Sequence, residues 1–132
     1  MTYATREEIN AVRQHINEQI PGAKEQPSYT DFHDLRFNLS PRPSFTFKHN
    51  NYNAVISFHD HHAFTDEETG EQCEPYTTVT VSLFTIINNT EYVSNIDTGI
   101  STFPQVPTTH LLENAQHYLE EKVVPSDTRR TN

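Results

Sequence analysis

The stretch YTTVTVSLFTIINN, residues 76–89, gives the strongest strand signal in the chain. It is rich in β-branched residues, and its apolar side chains recur at every second position, which is the period of a β-strand. The closing pair Asn88–Asn89 tolerates the left-handed backbone of a tight turn, so TEYVSNI at 90–96 is predicted to be the next strand of the same sheet. The side chains predicted to face the core are Val79, Val81, Leu83 and Ile87.

Three further strands are predicted before this stretch. Apolar and polar residues alternate over residues 35–40, again over 45–48 after the break SPRP, and again over 52–59 after the pair Asn50–Asn51. Residues 23–34 show no such alternation and are predicted to be a polar connector. Short links between successive strands favour antiparallel pairing, so we expect one five-stranded, mainly antiparallel sheet.

A helix is predicted near each end of the chain. Thr5 and Glu8 have the spacing of a capping box, and apolar residues then repeat at helical spacing until the sequence IPG at 20–22. The second helix is predicted to begin after Pro107 and to end at Pro125. Its predicted apolar face consists of Leu111, Leu112, Ala115, Tyr118, Leu119 and Val123.

The predicted fold class is therefore α+β, in the order α-β-β-β-β-β-α, with the N-terminal and C-terminal helices packed on one face of the sheet. A chain of 132 residues has the size of one domain, so residues 1–124 are expected to form it and residues 125–132 to be a flexible tail. No apolar run approaches the roughly 18 residues of a membrane span, and the first residues lack the apolar segment of a signal peptide. We expect a cytoplasmic protein, and a single cysteine agrees with that compartment.

The charge of the chain is unevenly distributed. The net charge is −9, and the 73 residues from His49 to Glu121 contain no lysine or arginine. A field of this sign repels phosphate groups and attracts basic surfaces, so direct binding of nucleic acid by this segment is not expected. The segment holds 11 acidic residues, which are Asp60, Asp66, Glu67, Glu68, Glu71, Glu74, Glu91, Asp97, Glu113, Glu120 and Glu121.

Six of these acids lie in the connection between the third and fourth predicted strands. This connection, residues 60–74, is long compared with the roughly two to five residues usual in a hairpin. Such length indicates either a solvated loop or a functional one, and the sequence DEETGE lacks the ligand pattern of a calcium-binding loop. As a functional loop it would enter a basic groove of a larger protein through Asp60, Asp66, Glu67, Glu68, Glu71 and Glu74.

A histidine cluster overlaps the start of this connection. His59 and His61 are predicted to face the same side of a strand, and such a His-x-His pair can share a zinc ion. A catalytic zinc needs a third protein ligand, and a structural zinc needs a fourth. No other cofactor is expected. The alternative to a solvated surface is a zinc site formed by His59, His61 and one of His62, Asp66, Cys73 or His117.

Two apolar side chains, Phe84 and Ile86, are predicted to lie on the sheet face opposite the core. The rest of that face is polar, so these two side chains need cover. Either residues 97–107 fold over them, which is the simpler alternative, or a second copy of the chain binds there. In the second case Phe84 and Ile86 form a homodimer interface.

The sequence does not specify an enzyme. Residues 97–99 form the Asp-Thr-Gly triplet of aspartic proteases, but no later glycine exists to build the rest of that site. Cys73 lies among carboxylates, which disfavour the reactive thiolate. With three glycines in the chain, no phosphate-binding loop is available.

The sequence therefore favours a small acidic binding protein that is not an enzyme. Such a protein would inhibit a larger, basic partner by covering the surface with which that partner binds nucleic acid. In charge and size it is similar to the anti-defence inhibitors that phages and mobile elements direct at host nucleases or CRISPR complexes. A zinc-dependent enzyme or metal-binding protein and a homodimeric assembly protein are the two alternatives.

Overall fold

The computed structural model describes residues 3–28 and 42–131, with side chains described over residues 3–26 and 42–123. The strands are β1 (Lys24–Ser28), β2 (Arg42–His49), β3 (Tyr52–His61), β4 (Phe64–Thr65), β5 (Gln72–Cys73), β6 (Tyr76–Ile87) and β7 (Thr90–Gly99). Five of them form an antiparallel sheet in the order β1-β2-β3-β6-β7, while β4 and β5 form a separate two-stranded ribbon. The predicted α+β class with a five-stranded antiparallel sheet is confirmed.

Within the described residues, two α-helices accompany the sheet, α1 (Arg6–Gln19) and α2 (Thr108–Thr131), and a short 3-10 helix (Phe103–Gln105) precedes α2. The predicted capping box begins α1. Thr5 Oγ1 accepts a hydrogen bond from the Glu8 N–H at 3.2 Å, and Glu8 Oε1 accepts one from the Thr5 N–H at 2.9 Å. Over the described residues, no helix is both long and apolar enough to cross a membrane.

Both helices contribute to a single apolar core on one face of the sheet. Alternate residues of β6 point into this core, as the period of two predicted. Burying each of its larger side chains contributes roughly 1.5–3 kcal/mol. The buried apolar residues are Ala4, Ile9, Val12, Ile16, Phe45, Ala54, Ile56, Phe58, Val79, Val81, Leu83, Phe103, Leu111, Leu112, Ala115 and Leu119.

Polar contacts fix α2 against the sheet. Ser94 Oγ donates a hydrogen bond to the Ala115 carbonyl oxygen at 2.6 Å, and the Tyr52 hydroxyl donates one to Glu120 Oε2 at 3.3 Å. Burial raises the pKa of Tyr52, and the adjacent Glu120 carboxylate raises it further, because both disfavour the charged phenolate.

Two of the strand connections are the short turns that the asparagine pairs predicted. Asn50 has φ of 55° and joins β2 to β3, while Asn88 and Asn89 have φ of 52° and 65° and join β6 to β7. Asparagine tolerates this left-handed backbone, which matches the twist of a two-residue hairpin. Both turns lie at the same end of the sheet.

Strand β1 lies in the segment that the sequence predicted to be a polar connector, so that prediction is wrong. β1 pairs with β2 from Lys24↔Thr46 to Ser28↔Arg42 and forms an edge of the sheet. Its residues 24–26 are polar and exposed, so pairing with β2 makes it a strand and no apolar alternation marks it. The strand predicted at residues 35–40 lies outside the described residues.

Helix α2 extends past its predicted end. Its backbone is helical to Thr131, so Pro125 does not terminate it. A proline removes one N–H donor, but its φ near −65° is compatible with a helix. The predicted flexibility of residues 125–132 stays a prediction.

Tyr118, which the sequence placed on the apolar face of this helix, is 52% exposed. It lies at the edge of that face, about 100° around the helix from the buried Leu119.

Candidate functional site

The acidic connection is a second, smaller hairpin built on the end of the sheet. Strands β3 and β6 pair as far as His61↔Tyr76, and β4 then pairs with β5 in the register Phe64↔Cys73. We call residues 62–75 the acidic hairpin. Nearly all of its side chains are exposed, so it extends from the sheet into solvent.

Asp66 builds the tip of the acidic hairpin. Its Oδ1 accepts hydrogen bonds from the backbone N–H groups of Glu68 at 2.8 Å and Thr69 at 3.3 Å. Its backbone N–H donates to the Glu71 carbonyl at 2.8 Å, and its carbonyl accepts from the Gly70 N–H at 2.7 Å. Gly70 has φ of 75°, a left-handed conformation that glycine adopts without strain. The Asp66 carboxylate is therefore used by the turn itself.

The charge offered by the tip comes from Glu67, Glu68 and Glu71, which are exposed. Glu74 is also exposed and has a further interaction within the protein. Beside these acids, the Phe64 side chain is 53% exposed. A depression of about 250 Å³ follows the ribbon, and its lining residues are Ala63, Phe64, Thr65, Gln72, Cys73 and Glu74. The acidic hairpin thus presents an aromatic ring together with its charges.

Asp60 is not part of this exposed acidic surface. Its side chain is 7% exposed and forms an ion pair with Arg42, whose side chain is 5% exposed. Arg42 Nε and Nη2 donate to the two carboxylate oxygens at 3.0 and 3.2 Å, and the Thr77 hydroxyl donates to Oδ1 at 2.7 Å. Thr77 Oγ1 in turn accepts from the Ala4 N–H at 2.8 Å.

Asp60 therefore lies outside the exposed acidic surface, and its predicted contact with a partner stays a prediction. Its carboxylate joins the segment before α1 to strands β2, β3 and β6. A charge count along the sequence treats Asp60 like the other five acids, because it does not show that folding places Arg42 beside it.

The two strand histidines lie on the sheet face opposite the helices, which we call the polar face. The intervening Phe58 is buried in the core, so His59 and His61 point the other way, as predicted. His61 Nε2 lies 2.9 Å from Thr78 Oγ1, and its ring stacks on Tyr76 with 4.4 Å between centroids. His61 is thus held in a fixed orientation, whereas His59 is exposed.

The predicted zinc ligands are not brought together. Within residues 3–28 and 42–131, no group of three His, Cys, Asp or Glu side chains is placed to hold a metal ion. Asp66 caps the hairpin tip, Cys73 lies on β5, and His117 lies on α2 with Nε2 at 3.1 Å from Glu121 Oε1. His62 belongs to the acidic hairpin and has a further interaction within the protein.

A recess of about 320 Å³ opens on the polar face beside the two histidines. Two hydrogen bonds connect β6 to β7 within it. Thr80 Oγ1 donates to Asp97 Oδ1 at 2.6 Å, and Ser82 Oγ donates to Asn95 Oδ1 at 2.6 Å. We call this site the polar-face recess, and its lining residues are His59, His61, Thr80, Ser82, Asn95 and Asp97.

Sequence reasoning missed this recess, although the signal for it was present. A two-residue turn at Asn88–Asn89 fixes the register of β6 and β7, which places Thr80 opposite Asp97. The period of two then puts Asn95 and Asp97 on the same face as Ser82 and Thr80. The alternation of β6 alone places Phe84 and Ile86 on this face, and only the pairing with β7 adds Asn95 and Asp97 to it.

Phe84 and Ile86 lie on the polar face, as predicted. Ile86 is 65% exposed and Phe84 is half-buried. Residues 97–107 do not cover them: residues 97–99 belong to β7, and Phe103 is buried in the core against the ring of His15. The simpler of the two predicted covers is therefore wrong, because this segment packs on the helix side. The homodimer interface stays a prediction.

Comparison with known proteins does not indicate a function for this chain. No protein-family model matches the chain, and no curated protein or solved structure is significantly similar to it. The described residues offer three surfaces for recognition: the acidic hairpin, the polar-face recess and the apolar pair Phe84 and Ile86.

Proposed function

We propose that the protein is a non-enzymatic binding protein that places its acidic hairpin in a basic groove of a larger protein. The observation that carries this proposal is the structure of the tip, in which a turn closed by Asp66 displays Glu67, Glu68 and Glu71. No lysine or arginine occurs between residues 49 and 121 to neutralise these acids locally.

The hydrogen bonds of the tip support recognition over simple solvation. A flexible acidic loop would lose conformational entropy when it became ordered on a partner, and this loss weakens binding. Two side-chain bonds to Asp66 and two backbone bonds already hold the tip in one conformation. The acidic hairpin is therefore organised before it meets its partner.

Charge and an aromatic side chain supply two different parts of the interaction. The glutamates attract a basic surface and raise the rate of association. Phe64 is 53% exposed beside them, and aromatic side chains are common anchors in protein interfaces. The partner surface that fits this pair is basic and contains an apolar pocket.

The class of partner that best fits is a protein that binds nucleic acid through a basic groove. Acidic side chains can occupy such a groove in place of phosphate groups. We propose inhibition of this kind, as for the phage and mobile-element proteins that act against host nucleases or CRISPR complexes. We expect it to take place in the cytoplasm, where the single cysteine stays reduced.

The test compares two variants with the same net charge. In the first, Glu67, Glu68 and Glu71 become lysine, and Asp66 is kept because it holds the turn. In the matched control, the exposed residues Glu18, Glu91 and Glu113 become lysine. Both variants and the original serve as baits in lysate of the native source at low and high salt, and captured proteins are purified to measure their affinity.

We expect a basic partner that the original and the control retain and that the hairpin variant loses. Nucleic acid should compete for the same groove. Association should slow as salt rises, because the Debye length falls from about 10 Å at 0.1 M to about 3 Å at 1 M. Equal binding by the hairpin variant and the control would overturn the proposal.

Homodimeric assembly is a second candidate, favoured by the 65% exposure of Ile86 beside Phe84. An isologous contact through this pair would remove both side chains from water. Light scattering at high protein concentration should then report a dimer, and Ile86→Glu should give a folded monomer. A monomer in the unmodified protein excludes this candidate and leaves the first one unaffected.

A further inference from the structure

We propose that the polar-face recess binds the guanidinium group of an arginine side chain. The inference depends on the proposed function in one respect, namely that the arginine belongs to the basic partner. The recess itself is built by β3, β6 and β7 and shares no residue with the acidic hairpin.

The hydroxyl groups of the recess can only accept hydrogen bonds from a ligand. Each hydroxyl has a single hydrogen. Thr80 gives its hydrogen to Asp97 Oδ1 and Ser82 gives its hydrogen to Asn95 Oδ1, each at 2.6 Å. Toward the recess, both oxygens therefore present lone pairs.

Most of the other lining groups can also accept hydrogen bonds. The Asp97 carboxylate accepts from Thr80 and has several more lone-pair sites. The imidazoles of His59 and His61 can each accept through an unprotonated nitrogen. The donors of the recess are the side-chain amide of Asn95 and the ring N–H of each histidine. A ligand rich in N–H donors satisfies most of these groups.

The local charge favours a cation. Asp97 carries a full negative charge, and residues 49–121 contain no lysine or arginine to offset it. On the same face, Lys48 lies on β2 opposite Asn53, and β2 is three strands from the β7 that carries Asp97. Neighbouring strands are about 4.8 Å apart, and Lys48 also lies in the row of Phe84, four residues along β6 from Thr80, so this lysine is roughly 20 Å from Asp97.

The shape of the recess favours guanidinium over ammonium. Its acceptors are divided between β6 and β7, so a planar group with five N–H donors can reach both strands at once. His61 also lines the recess, and Tyr76 and Thr78 hold its ring in place. Arginine stacks on aromatic rings more readily than lysine does.

The openness of the recess indicates that the group arrives on a large partner. His59, Asn95 and Asp97 are exposed, whereas sites for free small molecules enclose most of their ligand. An arginine side chain carried by a protein needs no such enclosure. The register pair His61↔Tyr76 is the last of the main sheet, and the acidic hairpin begins at the next residue. A single basic surface can therefore contact both.

The experiment titrates isotope-labelled protein with N-acetyl-arginine amide at low salt and follows amide chemical shifts. We expect shifts concentrated at His59, His61 and Asn95, and weaker shifts with N-acetyl-lysine amide. Asp97→Asn should lower the apparent affinity about fivefold, as expected for one exposed charged contact. The matched control is Glu91→Gln, which removes one charge from the same strand outside the recess.

Equal affinity of Asp97→Asn and Glu91→Gln, equal shifts with the two amides, or no shifts in the recess would each overturn the inference. A hexa-arginine peptide distinguishes the source of the group. If the arginine belongs to a partner, this peptide should bind more tightly than N-acetyl-arginine amide does. Changing Glu67, Glu68 and Glu71 of the protein to lysine should then remove this difference in affinity. If that variant has no effect on the peptide while the amide still binds in the recess, the proposed function fails and the recess remains.

Discussion

The carboxylate of Asp60, on β3 just before the acidic hairpin, and those at the tip of the hairpin are used in different ways. The Asp60 side chain is 7% exposed and is bound by Arg42 and Thr77. At the tip, Glu67 and Glu68 are exposed and their side chains extend into water. The sequence places all these acids within one run of negative charge, and the fold divides them into a structural group and a recognition group.

Asp66 shares features of both groups, because its side chain is half-buried near the surface and its carboxylate accepts two backbone hydrogen bonds. The comparison shows that the number of acids in a segment overestimates the charge available to a partner. The available charge depends on the number of carboxylates that are not already used in hydrogen bonds or ion pairs within the protein. Substitution of these acids tests to which of the two groups each of them belongs.

The largest expected effect on stability comes from replacing Asp60. Asp60→Ala leaves the guanidinium of Arg42 buried without its carboxylate, which typically lowers the free energy of unfolding by about 3–5 kcal/mol. Thr77 also loses its acceptor. Urea denaturation should show this loss, while Glu68→Ala at the exposed tip should change stability by less than about 0.5 kcal/mol.

The double variant Arg42→Ala with Asp60→Ala sharpens the test. Removing both charges leaves no unpaired ion, so the double variant should be less destabilised than the sum of the two single variants. If Asp60→Ala lowers the free energy of unfolding no more than Glu68→Ala does, Asp60 does not differ from the glutamates of the tip and the comparison fails.

A smaller effect is expected at Asp66. Asp66→Ala removes the acceptor of two backbone N–H groups, and an intramolecular hydrogen bond contributes about 0.5–1.5 kcal/mol. Because the acidic hairpin extends into solvent, we expect this loss in local opening more than in global unfolding. Hydrogen exchange at the Gly70 and Asp66 amides, which close the tip, measures it.

Asp66→Asn is the control, because it removes the charge and keeps an acceptor oxygen for the turn. It should exchange at nearly the rate of the original protein, whereas Asp66→Ala should exchange roughly tenfold faster. Equal protection in the original and the alanine variant would show that the carboxylate does not hold the tip.

The sheet could be predicted wherever its signals are local. The turn at Asn88–Asn89 and the alternation of residues 76–87 contain enough information to set the register of β6 and β7, and through it the pair Thr80 and Asp97. The capping box of Thr5 and Glu8 is equally local, and it formed as predicted.

The features that sequence did not predict depend on distant parts of the chain. β1 is polar and becomes a strand because β2 provides hydrogen-bonding partners. The Arg42–Asp60 pair joins residues 18 positions apart on β2 and β3, and neither residue type indicates burial. The outward position of Phe84 and Ile86 predicted that residues 97–107 cover them, but the sequence could not show that Phe103 enters the helix-side core.

The smallest effect on stability is expected from the glutamates of the tip, although they are the residues proposed to recognise the partner. Changing Glu67, Glu68 and Glu71 to lysine alters the net charge from −9 to −3 and should reduce repulsion among the acids. Because the side chains are exposed, we expect the free energy of unfolding to stay the same or to rise slightly at low salt. Any rise should disappear near 1 M salt, where the screening length is about 3 Å.

Urea denaturation at low salt and at 1 M salt measures the change in the free energy of unfolding. The expected change is zero or positive, whereas the change for Asp60→Ala is negative. A loss of more than about 1.5 kcal/mol would place these glutamates in the structural group, and a loss of binding by the variant could then reflect a damaged hairpin.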